Sequence, residues 1–281
     1  MNKTKKNLHI RDGASLSAEP VRTIKIKKNL YIVTSAISTQ TGNIDLENRW
    51  TQTLHTVDSI NVKDSNADIW LIDTGSNKLP EWTEKLWPSN VKIHWWCNAP
   101  NVERIRLEAI AASKQYGKHC EFKKEDGSIY KDIERGERHV FAAYIKNVTE
   151  QWAIMKVLEL LKEDIEKDKY NLIHKLSGRY FLTELFDLDN FKEGDMFFQK
   201  QYENNNSVVM WAFKATQYDN FLSTWKQCGD WLANEWARPS VSDLESAVGF
   251  NFKNKEVVLI KPWGVMGIVN SSEGKKQIVT Q

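Results

Sequence analysis

The chain lacks most of the features that declare a function outright. Its three cysteines, Cys97, Cys120 and Cys228, are widely spaced and contain no CxxC pair. That excludes a disulfide framework and a cysteine zinc site, and predicts reduced thiols in a cytoplasm. No GxGxxG follows the first apolar run, and GxxxxGK[ST], GxSxG and HExxH are all missing. The usual signatures of dinucleotide binding, P-loop hydrolysis and zinc hydrolysis are therefore absent. The six histidines, His9, His55, His94, His119, His139 and His174, show no ligand spacing, so each reads as structural or exposed. Neither sign of charge dominates, with 39 basic and 37 acidic residues; nothing in that balance draws the chain to nucleic acid or a membrane. No apolar run approaches the roughly 20 residues of a membrane span. Lys3, Lys5 and Lys6 are followed by no apolar segment or small-residue cleavage site, so no secretory signal is expected.

What the chain does have is tryptophan, 12 residues without a repeat period. Most tryptophans in a globular protein are core, with the indole N–H satisfied; an exposed face can instead stack on a sugar or a base. Trp95-Trp96 is the pair to watch, because neighbours on a strand point to opposite sides. At 281 residues the chain is long enough to bury a substantial core. Residues 1–25 form a polar, basic and aperiodic tail and 271–281 resemble it, so both are expected to be loose, flanking a single domain over 26–270.

Between the tails, apolar runs alternate with helical patterns. Leu30–Thr34, Ile69–Asp73, Val91–Trp96, Leu172–Leu176, Met196–Phe198, Val208–Trp211 and Val257–Ile260 read as buried strands. Asp45–Ile60 carries Leu46, Trp50, Leu54 and Val57 on one helical face, Asn101 is placed to cap a second helix, and Thr149–Glu166 has the strongest helical period. Tyr218–Trp236 and a segment after Pro239 complete the set. This order predicts an α/β fold with a Rossmann-like, mostly parallel sheet sandwiched between helices, whose ligands bind beyond the carboxyl ends of the strands.

That rule brings Thr34-Ser35, Asp73-Thr74-Gly75-Ser76 and Lys175–Tyr180 to one rim. In Lys175-Leu176-Ser177-Gly178-Arg179-Tyr180, Gly178 admits close backbone approach, Lys175 and Arg179 supply charge, and Arg179 can grip two oxygens with its planar fork. The segment reads either as a phosphate cradle or as a tight turn with its cations in water. Asp73 is placed to accept hydrogen bonds from a ribose or base, or else to make an ordinary Asx turn. Asp187 and Asp189 can hold a divalent cation, or cap and turn the chain. Ser242 and Glu245 fit a capping box, and Glu245 alternatively supplies a general base at the rim.

Four segments together resemble a family of uncharacterised glycosyltransferase-like proteins of phages, large viruses and bacteria. They are Arg49–Ile60, Ala67–Ser76, Lys146–Gln151 and His174–Leu182, the last containing the family's Lys-x-Ser-Gly-Arg-Tyr signature; the likeness runs in order over residues 29 to 250. The resemblance implies a GT-A-like fold and transfer of a sugar from a nucleotide-sugar donor to a glycan or other hydroxyl acceptor, in the cytoplasm of a bacterium or an infected host cell. On the rim reading above, donor contacts are expected from Thr34, Ser35, Asp73, Ser177, Gly178 and Tyr180 and chemistry from Lys175, Arg179 and Glu245, with Asp187 as a second candidate base, and Asp187 and Asp189 are the residues that would hold Mn2+ or Mg2+. Arg49 and Glu150 are expected to support the site from behind. The chain departs from the usual GT-A pattern where many such enzymes carry an Asp-x-Asp metal site. The alternatives are a carbohydrate-binding protein of the same fold without catalysis, and a nucleic-acid module resting on the basic tail.

Overall fold

A computed structural model describes residues 27–37, 46–75, 77, 79, 81–202, 205–235, 243–260, 263–270 and 276–280. In chain order the elements are β1 (Lys28–Ser35), α1 (Leu46–Lys63), β2 (Asp68–Asp73), β3 (Val91–Trp95), α2 (Pro100–Tyr116), β4 (Glu121–Lys123), β5 (Ile129–Lys131), α3 (Ile133–Glu166), β6 (Tyr170–Ser177), β7 (Tyr180–Leu182), β8 (Met196–Tyr202), β9 (Asn205–Lys214), α4 (Tyr218–Glu235), α5 (Leu244–Phe252), β10 (Val257–Leu259), β11 (Val265–Asn270) and β12 (Lys276–Thr280).

Seven strands form the central sheet in the order β10-β8-β9-β6-β1-β2-β3. All run the same way except β9, which is antiparallel to both of its neighbours. The fold is thus α/β with a mostly parallel sheet between helices, as the strand–helix alternation predicts. The runs Leu30–Val33 and Ile69–Asp73 are buried at every position, because helices or loops cover both faces. On one face Leu158, Trp211, Phe213, Phe221 and Trp225 join α3, α4 and α5 to the sheet. On the other, Val57 and Ile60 of α1 pack with Tyr180, Phe186, Phe191 and Trp263. Trp211, Trp225 and Trp263 are fully buried, each worth about 4–6 kcal/mol of gross burial before conformational entropy opposes it. Trp225 donates its indole N–H to the Gln151 carbonyl at 3.2 Å, whereas the indoles of Trp211 and Trp263 find no partner among the described residues. Trp96 packs on Trp152 while Trp95 turns its N–H to Glu84, so the pair does split. All three cysteines are free thiols.

Several boundaries differ from expectation. Helix α3 begins at Ile133, capped by Asp132, which accepts from the Arg135 N–H. Its first half escapes the periodicity because the buried positions ahead of Thr149 are Gly136, Val140 and Asn147, of which only Val140 is a large apolar residue. A Cβ at Gly136 would lie 2.0 Å from the Gly117 carbonyl oxygen, so this glycine marks a helix contact and not a helix end. Pro100 is the first residue of α2, and Ala99, not Asn101, holds the cap position without a side-chain bond. Strands β4, β5, β7, β11 and β12 are additions. Residues 276–280 pair with β11 where a loose tail is expected, while 1–25 and 271–275 lie outside the described residues. So do Asp45, Trp236 and Pro239, named at predicted helix ends. No helix among the described residues is long and apolar enough to cross a membrane.

Candidate active site

The parallel register brings the predicted rim together: Thr34 lies opposite Ser177 and Ser35 opposite Asp73. The Gly178 N–H donates to the Thr34 carbonyl at 2.7 Å, stitching the turn after β6 onto the end of β1. From α1, the Thr53 hydroxyl lies 3.2 Å from the Gly178 carbonyl, 2.9 Å from the Arg49 carbonyl and 3.1 Å from the Ser35 hydroxyl. A Cβ on Gly178 would meet Ser35 Cβ and the Thr34 oxygen at 3.2 Å. The approach of β1 itself therefore leaves little room for a side chain at this position, before any ligand arrives.

Beyond these strand ends opens a cavity of about 280 Å3, near the lower end of the range for small-ligand pockets. Its walls are Thr34 and Ser35 of β1, Arg49 of α1, Lys146, Thr149 and Glu150 of α3, and the turn Ser177-Gly178-Arg179. The charges are unevenly matched. Lys175 pairs with Glu150 at 2.5 Å and Lys146 with Glu245 at 3.4 Å, but among the described residues neither Arg49 nor Arg179 has a carboxylate partner. Among the described residues the Arg49 Nε is buried without a hydrogen bond, as are the Thr149 hydroxyl and one Glu245 oxygen. Burial and then the neighbouring Arg179 lower the Arg49 guanidinium to about 10. Two like charges held together at a cavity wall make a receptor for an anion.

Glu150 is the acidic counterpart. Burial pushes its carboxyl up, yet Lys175, Lys146 and Arg179 together hold it below the ordinary carboxylate value, so it is ionised at neutral pH. Burial opposes the Lys175 ammonium, but Glu150 beside it and the Val208 carbonyl that accepts from it are the partners of a protonated amine. A larger cavity of about 540 Å3 lies at the opposite end of the sheet, against Tyr170 at the start of β6. Its lysines, Lys27, Lys162 and Lys214, are balanced by Glu166, Asp168 and Asp219.

Of the residues predicted for the site, Thr34, Ser35, Ser177, Gly178 and Arg179 line the cavity. Lys175 does not act as a rim cation: it has no exposed surface and points into the layer between β6 and α3. Asp73 is fully buried, and its two oxygens accept from the Ile37 N–H at 2.8 Å and the Gly75 N–H at 2.9 Å. It makes the Asx turn and, fully buried, presents no oxygen to a ribose; burial raises it to about 6 against those two bonds. Ser76 lies outside the described residues. Tyr180 is a core residue, packed so closely beneath Gly267 that a Cβ there would meet its ring at 2.4 Å. Glu245 lies in the first turn of α5, but the cap is Asp243, which accepts from the Ser246 N–H at 2.7 Å; Ser242 is outside the described residues.

The acidic pair does not fit a cation. Asp187 caps a short 3-10 turn by accepting from the Asp189 N–H, Asp189 pairs with Lys192 at 2.9 Å, and both carboxylates are exposed. Among the described residues no cluster of three or more histidine, cysteine, aspartate or glutamate side chains converges. What the sequence reading missed is the part played by α3. Ala142, Lys146, Thr149 and Ala153 recur at spacings of four, three and four and face the cavity together, a stripe of small and polar residues beside the apolar one. Arg49, expected behind the site, is in its wall.

No protein-family model matches the chain. A stretch of 82 residues is 38% identical to the [NU+] prion formation protein 1 of Saccharomyces cerevisiae, spanning 27% of this chain and 7% of that protein. Among solved structures, mouse xyloside xylosyltransferase 1 in its apo form aligns over 83% of this chain and 84% of its own, at 9% identity and a TM-score of 0.39. A putative nucleotide-diphospho-sugar transferase from Desulfovibrio desulfuricans G20 aligns over 83% of this chain and 79% of its own, at 11% identity and a TM-score of 0.38.

Proposed function

We propose that the protein is a glycosyltransferase that takes a nucleotide-sugar donor and transfers the sugar to a glycan or other hydroxyl acceptor. The observation that carries this reading is the pair Arg49 and Arg179, two guanidiniums that form no ion pair among the described residues, at the carboxyl ends of parallel strands. A diphosphate supplies the negative charge that this pair lacks. When the bond from sugar to diphosphate breaks, charge builds on the departing oxygen, so cations already fixed there stabilise the transition state more than the ground state. Ser177 lines the same wall and its hydroxyl suits a remaining phosphate oxygen, whereas the Thr34 hydroxyl donates to Glu150 and the Ser35 hydroxyl meets Thr53. Glu245, whose carboxylate lies behind the cavity wall and meets Lys146 of that wall at 3.4 Å, is the candidate base for the acceptor hydroxyl. Carbohydrate binding by exposed tryptophans is the weaker reading, since Trp211, Trp225 and Trp263 are spent on the core.

Calorimetry with nucleoside diphosphates, together with release of nucleoside diphosphate from a panel of nucleotide sugars with and without Mn2+ or Mg2+, tests this directly. Arg179→Ala is expected to weaken diphosphate binding by tenfold or more, on the order of the 1.5–3 kcal/mol of a charge-assisted bond. Binding of no nucleotide sugar by the wild-type chain removes the reading.

A further inference from the structure

The cavity has two poles, and only the cationic one is explained by a diphosphate. At the other, Glu150 enters from α3 with its Oε1 held twice, by the Lys175 ammonium at 2.5 Å and by the Thr34 hydroxyl at 3.2 Å. Both contacts fall on the same oxygen, and Glu150 lines the cavity, so Oε2 is the oxygen offered to a ligand. Lys175 cannot touch one: it is wholly enclosed and also donates to the Val208 carbonyl. Burying an ion pair costs desolvation on both sides, so the pair is weak evidence of stability and better evidence of a carboxylate held in one place. Beside Glu150, Thr149 is 5% exposed and its buried hydroxyl has no hydrogen-bond partner among the described residues.

We propose that Glu150 receives a hydroxyl of the donor's sugar through Oε2, and that Lys175 is the positioning residue that aims it. This rests on the nucleotide-sugar reading above. The group joined to a diphosphate in such a donor is a polyol, and an O–H donated to a carboxylate is a short, strong bond. Glu150 is an acceptor here and not the proton carrier. Lys175, Lys146 and Arg179 keep it ionised, whereas a general base works best with an affinity for protons near the operating pH.

The test is calorimetry on the full chain with inorganic pyrophosphate, with UDP and GDP, and with their hexose derivatives. The wild type is expected to bind a nucleotide hexose about tenfold more tightly than the matching diphosphate. In Glu150→Gln that preference disappears while pyrophosphate affinity is unchanged or higher. Lys175→Met weakens the preference without abolishing it, and makes what remains fall as pH is lowered, because the ammonium that favours the ionised carboxylate is gone. In that variant the ionisation of Glu150 depends on Lys146 and Arg179 alone, with Glu245 and the Tyr180 phenol as the other titratable neighbours. Should Lys175→Met not fold, the double variant Glu150→Gln/Lys175→Met removes both charges and is expected to match Glu150→Gln, with no added loss. A sugar preference that survives in Glu150→Gln overturns the assignment and leaves the nucleotide-sugar reading standing. A wild type that binds no nucleotide hexose overturns that reading, and this one with it.

Discussion

Arg49 is the residue at which function and stability pull apart most plainly. Its guanidinium is lowered to about 10 by burial and by Arg179, and its Nε is buried without a bond. A cation held where the folded protein disfavours charge weakens the fold. Arg49→Met keeps the length and removes the charge, so the expected outcome is a melting temperature raised by a few degrees with diphosphate affinity lowered at least tenfold. A fall in melting temperature would mean that Arg49 is held by contacts favourable to the fold. Lys175 shows what could and could not be read beforehand. The strand around it was legible, and so was the turn after it, but in a strand buried on both faces alternation sends every side chain into a core. Whether a lysine there meets a phosphate or a glutamate depends on the residue opposite. That residue, Glu150, is 25 positions away on a helix whose rotation the sequence leaves open.

The long helix α3 is the element that organises the site, since it carries Lys146, Thr149 and Glu150 on one face and the core residues Ile154, Val157, Leu158 and Leu161 along its second half. Its placement depends on the contact between Gly136 and Gly117, where a methyl group would sit 2.0 Å from backbone oxygen. Gly136→Ala is therefore expected to cost roughly 2–4 kcal/mol despite the better helix propensity of alanine, because backbone has to move. Gly229→Ala in α4 is the control. There the new Cβ would meet only the end of the Gln151 side chain, at 2.4 Å from its Nε2, and that amide can swing away at the loss of its bond to the Trp225 carbonyl. The two effects, about 1 kcal/mol each and opposite in sign, leave the variant near wild-type stability in thermal melts. Equal destabilisation of the two variants would contradict this account. Only the second half of α3 was legible because its first half buries Gly136 and Asn147 beside Val140, and a glycine and an amide add nothing to an apolar period. The reversal of β9 was hidden for another reason, because an apolar run has the same pattern in either direction. Strand β11 was hidden by Gly267, which is there to clear the Tyr180 ring.

Across the whole molecule, the pH dependence of stability is set by buried groups that oppose one another. His174 sits 4.5 Å from the Tyr31 ring and 4.9 Å from Phe191, with neither ring nitrogen bonded, and burial lowers it to about 3. Asp73 is raised by burial to about 6. Between pH 4 and 6 the unfolded chain protonates the histidine while the folded one does not, so stability from this group is present at neutral pH and lost as pH falls. For Asp73 the folded chain holds the extra proton over the same window, so stability falls as pH rises. At pH 5 each slope is close to one proton, about 1.2 kcal/mol per pH unit, and the two nearly cancel. His94, lowered to about 4 by burial and then Lys92, adds to the histidine side. The cancellation is testable because each partner can be removed alone. Relative to wild type, His174→Phe is expected to lose stability as pH rises from 4 to 6, by about 2–4 °C in melting temperature per pH unit. Asp73→Asn is expected to gain stability over the same range, beneath a constant loss from the N–H that its amide nitrogen can no longer accept. Melting curves of the three proteins that stay parallel from pH 4 to 6 would show that neither group titrates differently in the folded chain.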